Sequence, residues 1–180
     1  VSGAVTGRLA SITLPTGGTI SYSYGGGCSS AGTGINTDGT VGSLTRATSD
    51  GARTYTRATV NANATSTTLQ DEKGNQTLYQ FSFSGGMFYE THRQVYQGAI
   101  GGPNLLDRYT CYNGAQPPCD GAVITPPFTQ DIVVSSYNGG AQGSVSNTYD
   151  TNGMLTSSVQ GQWGGSALLK QIAAYNSMEE

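Results

Sequence analysis

Apolar and polar residues alternate along most of the chain in short runs, and Gly, Asn, Asp or Pro closes nearly every run. In the first run Leu9, Ser11 and Thr13 share one side of an extended strand, and Ala10, Ile12 and Leu14 share the other. This period of two predicts strands over 9–14, 19–24, 41–48, 53–60, 66–70, 76–82, 87–97, 105–112, 129–137, 144–149, 155–160 and 168–175. The last segment has residues that also favour a helix, but its place in the alternation predicts a strand. Residues 122–128, with Pro126-Pro127, read as an extended connector. The expected fold is all-β, built of successive antiparallel hairpins in one domain over 1–180. Because both sides of the first strand are partly apolar, the strands are expected to lie sandwiched between neighbours.

A phrase recurs within this alternation. Its fullest copy runs from Gly7-Arg8-Leu9-Ala10-Ser11-Ile12-Thr13 through Gly17-Gly18 to Tyr22-Ser23-Tyr24. Its second half returns as Gly74-Asn75-Gln76-Thr77-Leu78-Tyr79-Gln80-Phe81, which sets Gly74 over Gly17, Tyr79 over Tyr22 and Phe81 over Tyr24. Looser copies are Gly51-Ala52-Arg53-Thr54-Tyr55 and Gly86-Met87-Phe88-Tyr89-Glu90-Thr91-His92. Its first half returns as Tyr149-Asp150-Thr151-Asn152-Gly153-Met154-Leu155-Thr156. The glycines supply the positive φ that tight turns need, and aromatics two apart project from one strand face. A repeated hairpin cannot bury its apolar face alone, so Tyr22, Tyr24, Tyr79, Phe81, Tyr149 and Leu155 are expected to pack repeat against repeat.

These motifs resemble the RHS/YD-repeat family, whose Tyr-Asp-x-x-Gly-Arg-Leu-Thr phrase is close to the run from Tyr149 to Thr156. The resemblance implies a bacterial secreted or cell-surface protein whose repeats coil a β-sheet into a wall. The chain is shorter than such shells and lacks the Asp-Pro-x-Gly-x-x-Arg phrase that ends them. The implied role is therefore structural and non-enzymatic: a module associating through strand edges with copies of itself or with the rest of a longer chain. The start at Val1 and the end at Met178-Glu179-Glu180, soon after a repeat begins, fit such a segment.

Composition narrows the alternatives. Charged residues are 11% of the chain and its net charge is −3, so no electrostatic footprint for nucleic acid is expected. Arg46, Arg53 and Arg57 make a short basic trio that a solvated strand face explains. No apolar run is long enough for a transmembrane helix. Cys111 and Cys119 flank a turn-rich loop suited to a disulfide, two free thiols being the alternative, and Cys28 is left over.

Candidate chemistry is sparse. His92 is the single histidine; it stands two residues from Glu90, hence on one strand face, and reads as a cross-strand surface residue. Asp38, Asp50, Asp71-Glu72 and Asp120 sit at turn positions, and turn formation accounts for them. Asp150-Thr151-Asn152-Gly153 opens like a calcium loop but lacks the later glutamate, so hairpin chemistry suffices. Asn63 and Asn75 begin glycosylation-type triplets that read as turn and strand residues. No catalytic, metal or cofactor site is expected. The second functional reading is a carbohydrate-binding or adhesive module whose tyrosines stack on glycans.

Overall fold

A computed structural model describes residues 7–26 and 41–175. Cys28, Asp38 and the C-terminal Met178-Glu179-Glu180 lie outside the described residues. The elements are β1 (Ser11–Thr13), β2 (Thr19–Gly25), β3 (Ser43–Thr48), β4 (Gly51–Asn61), β5 (Ala64–Gln70), β6 (Gln76–Ser84), β7 (Met87–Tyr96), β8 (Asn104–Tyr112), β9 (Gln130–Tyr137), β10 (Gln142–Tyr149), β11 (Leu155–Gln162) and β12 (Ala167–Ile172). All pair antiparallel in one 12-stranded sheet whose spatial order is the chain order. The described residues include no helix, and the segment with helical propensity forms β12.

The recurring phrase corresponds to a recurring turn. At Leu14, Asp71 and Asp150 the backbone N–H donates to the carbonyl four residues on, at Gly18, Asn75 and Met154, over 2.8, 2.9 and 2.9 Å. The N–H groups of Gly17, Gly74 and Gly153 donate back to the carbonyls of Leu14, Asp71 and Asp150 over 2.9, 3.1 and 3.0 Å. These three glycines have φ of 86°, 82° and 79°, a region other residues enter at a cost. In two of the turns an aspartate carboxylate adds the same support. Asp71 accepts from the N–H of Lys73 and Asn75, and Asp150 from those of Asn152 and Met154. These bonds hold the Asp71 carboxyl below its usual range, the Asn75 side-chain bond foremost. The copy at Gly51 differs: Thr48 pairs directly with Gly51 across a two-residue turn. A Cβ added at Gly74 would meet nothing within 4 Å, so Gly74→Ala isolates the backbone cost. Chemical denaturation should show a loss of about 1 kcal/mol, with the folded spectrum unchanged.

Register divides the side chains between two faces, because directly opposed residues share a face. One unbroken row runs Tyr24, Leu44, Tyr55, Leu69, Thr77, Val95, Leu106 and Tyr137 across β2 to β9. The opposite face carries the row Gln80, His92, Tyr109, Val134 and Ser144. The expectation of sandwiched strands does not hold, since no second sheet stands over the described residues. Part of the second face is instead covered by the 113–129 connection between β8 and β9. It brings Cys119 onto Cys111, Ile132 and Val134, with Tyr109, Ala115, Ala122 and Trp163 packed around them. Ile124, in the stretch expected to be a plain connector, is also buried. Apolar residues on both faces thus have two destinations: the core under this loop, and an open face of half-exposed aromatic and aliphatic rows.

Candidate functional site

The aromatic doublets come to one side of the sheet. Tyr22 and Tyr24 alternate with exposed serines on β2, and the Tyr24 hydroxyl donates to Leu9 O at 3.0 Å. Tyr79 and Phe81 stack at 6.5 Å between ring centroids on β6. The Tyr24 row meets β6 at Thr77, two residues before Tyr79, so both doublets occupy the same face, four strands apart. They form a common layer without touching each other. Leu155 lies opposite Tyr149, whose hydroxyl donates to Asp131 Oδ1 at 2.5 Å. Burial, then the Asp131 bond, pushes the Tyr149 phenol up to about 12.

The same face carries arginines. Arg46 stands directly opposite Arg53, and Arg93 directly opposite Arg108. A further row crosses β4 to β8 as Arg57, Thr67, Tyr79, Arg93 and Arg108. Arg53 Nε is 2.8 Å from Glu72, and Arg93 makes a two-pronged pair with Glu90 while lying 4.9 Å over the Tyr79 ring. The basic trio is therefore part of a larger array. Nothing in the sequence marks Arg93 and Arg108 as members of this array, since neither clusters with the trio along the chain. The two-residue turn at Ser49-Asp50 does fix the Arg46–Arg53 opposition, so that much was readable.

His92 departs most from expectation. Gln80 pairs with His92 and Phe81 with Glu90, which leaves Thr91 as an extra residue in a β-bulge. Glu90 and His92 therefore face opposite sides, and His92 is only 4% exposed rather than a surface residue. Its Nε2 lies 2.6 Å from Asp107 and its Nδ1 3.3 Å from Asp120, while its ring stacks on Tyr109 at 3.9 Å. Asp120 is thus more than a turn former, since it reaches back from the covering loop beside Cys119. Burial lowers the imidazole pKa, but the two carboxylates outweigh it and the net shift is upward. With both nitrogens facing carboxylates, protonated His92 acts as a cationic pin between the sheet and the loop. No sequence spacing marks this trio, because it needs the bulge and the loop path together.

Cys111 and Cys119 are joined as a disulfide. The two edges of the sheet are unlike. At one edge β1 is three residues long. At the other, β12 exposes Leu168 at 83% and Ile172 at 74%. Ala173 N donates to Thr156 O, so by antiparallel alternation Gln171 and Leu169 turn their backbone groups toward β11. The backbone groups of Lys170 and Ile172 then point outward.

Among the described residues these features define an all-β hairpin sheet with one partly loop-covered face, one face that no described segment covers, and two edge strands, β1 and β12, whose outer sides no described strand pairs. Comparisons with protein-family models, curated proteins and solved structures produced no match. Among the described residues no helix is long and apolar enough to cross a membrane.

Proposed function

We propose that the chain is a structural, non-enzymatic repeat module of the RHS/YD kind, at work outside the cell or on its surface. It builds a β-wall, shell or filament by pairing sheet edge to sheet edge, with copies of itself or the remainder of a longer chain. The carrying observation is β12: an exposed outer strand with four apolar residues and one charge, Lys170, whose outward N–H and C=O groups have no partner among the described residues. Soluble sheets usually protect such an edge with charge, proline or a covering segment. The disulfide supports an oxidising compartment.

Sedimentation velocity of the full chain tests this reading. The protein is expected to form larger species as concentration rises, and Ile172→Pro, which removes an outward donor while sparing the bonds to β11, to shift it to monomer. A wild-type monomer at every concentration overturns edge association. A second reading, glycan binding, is favoured by the half-exposed Tyr22 and Tyr55 on a face that no described segment covers.

A further inference from the structure

The arginine array has a feature that packing leaves unexplained. Like charges directly opposite each other in a sheet are destabilising, yet this face sets Arg46 against Arg53 and Arg93 against Arg108. One member of each pair is neutralised, Arg53 by Glu72 and Arg93 by Glu90. Arg46, Arg57 and Arg108 have no carboxylate partner among the described residues. Arg108 Nε is buried with no acceptor at all. A buried guanidinium nitrogen without a partner loses its hydration and gains nothing in return. The other nearby carboxylate, Asp71, is held by the N–H groups of Lys73 and Asn75.

The face also has room for a ligand. A cavity of about 470 Å³ is bordered by Arg57, Thr65, Thr67, Phe81 and Phe88. A second, of about 560 Å³, is bordered by Arg53, Leu69, Thr77 and Val95. The first cavity borders residues of β4, β5, β6 and β7, and the second borders residues of β4 to β8. Of the three unneutralised arginines, Arg57 borders a cavity, while Arg46 and Arg108 stand on the same face beside Tyr22 and Arg93 respectively.

We propose that this face binds an acidic polysaccharide, its carboxylate or sulfate groups meeting Arg46, Arg57 and Arg108 and a sugar ring lying on the half-exposed Tyr22, directly opposite Arg46. Guanidinium forks match planar carboxylates and sulfates, and aromatic faces accept the apolar side of a pyranose. Charge complementarity selects the polymer: the open face is locally basic on a chain of net charge −3. The inference rests on the glycan reading given above and is independent of edge association.

The test is affinity electrophoresis of the full chain in gels containing polygalacturonate, neutral dextran or neither. Retardation by polygalacturonate alone is expected, and added salt should relieve it. Arg57→Gln with Arg108→Gln should weaken it by at least about tenfold, since two charge-assisted contacts are lost. Lys73→Gln with Lys170→Gln, an equal charge change elsewhere, should leave it intact. Equal loss in both doubles overturns the site, and so does tighter binding of a single-stranded oligonucleotide. Retardation by dextran that depends on Tyr22 but not on the arginines keeps the glycan reading and removes its acidic specificity. Passage through both polymers unretarded removes both. Circular dichroism checks the doubles, and Arg46→Gln with Arg57→Gln replaces the first if Arg108 proves necessary for folding.

Discussion

Replacing Cys111 and Cys119 together by alanine is expected to lower the unfolding free energy by about 3 kcal/mol, mostly through the unfolded chain. The cross-link closes a short loop, sequence separation 8, for which chain entropy alone gives about 2.5 kcal/mol. The remainder is local. Cys111 is 1% exposed and Cys119 4%, both within the cluster of Ile132 and Val134. Loss of the sulfurs leaves space there, and buried apolar groups are costly to lose. Urea denaturation of the oxidised wild type, the reduced wild type and the double variant measures this directly. Amide exchange should rise first under the 113–129 loop, at β8 and β9, and leave β2 to β5 unchanged. Coincident unfolding midpoints for oxidised and reduced protein would show that the link holds nothing.

The second large effect belongs to His92. Its pKa is raised in the folded chain, so its contribution is full below the ordinary value of 6.5 and is lost as pH rises through the folded value. Stability should therefore fall as pH climbs above about 6.5 and through the raised folded value. His92→Gln should flatten that dependence and cost about 1–3 kcal/mol at pH 6, because Asp107 and Asp120 lose the cation between them. The lower part of that range applies if water reaches the carboxylates, whose side chains remain 33% and 32% exposed. Thermal melts at several pH values, for wild type and variant, give both slopes. A wild-type slope retained in His92→Gln would assign the pH dependence elsewhere.

The strands were largely legible because each carries a period of two and each turn announces itself. The segments expected at 19–24, 76–82 and 105–112 correspond to β2, β6 and β8 within a residue or two. The equivalence of Gly17, Gly74 and Gly153 was also readable, and the three share one turn geometry. What alternation cannot supply is an offset. The extra residue at Thr91 turns His92 to the face opposite Glu90, and nothing in the local pattern distinguishes a bulged strand from a regular one. Nor does the sequence trace the path of the 113–129 loop, which puts Asp120 beside His92 and buries Ile124. The single layer was missed for a related reason. Apolar residues on both sides of a strand call for cover, and alternation alone does not distinguish a covering loop from a second sheet.

Strict chain order among the strands has an evolutionary consequence. Among the described residues each strand meets only its neighbours in sequence, so none of these pairings joins distant strands. Gain or loss of two adjacent strands preserves the direction of everything downstream, whereas gain or loss of one reverses it. Unequal recombination in steps of a whole hairpin is therefore tolerated by this architecture, and related chains can differ in width while keeping the same turn.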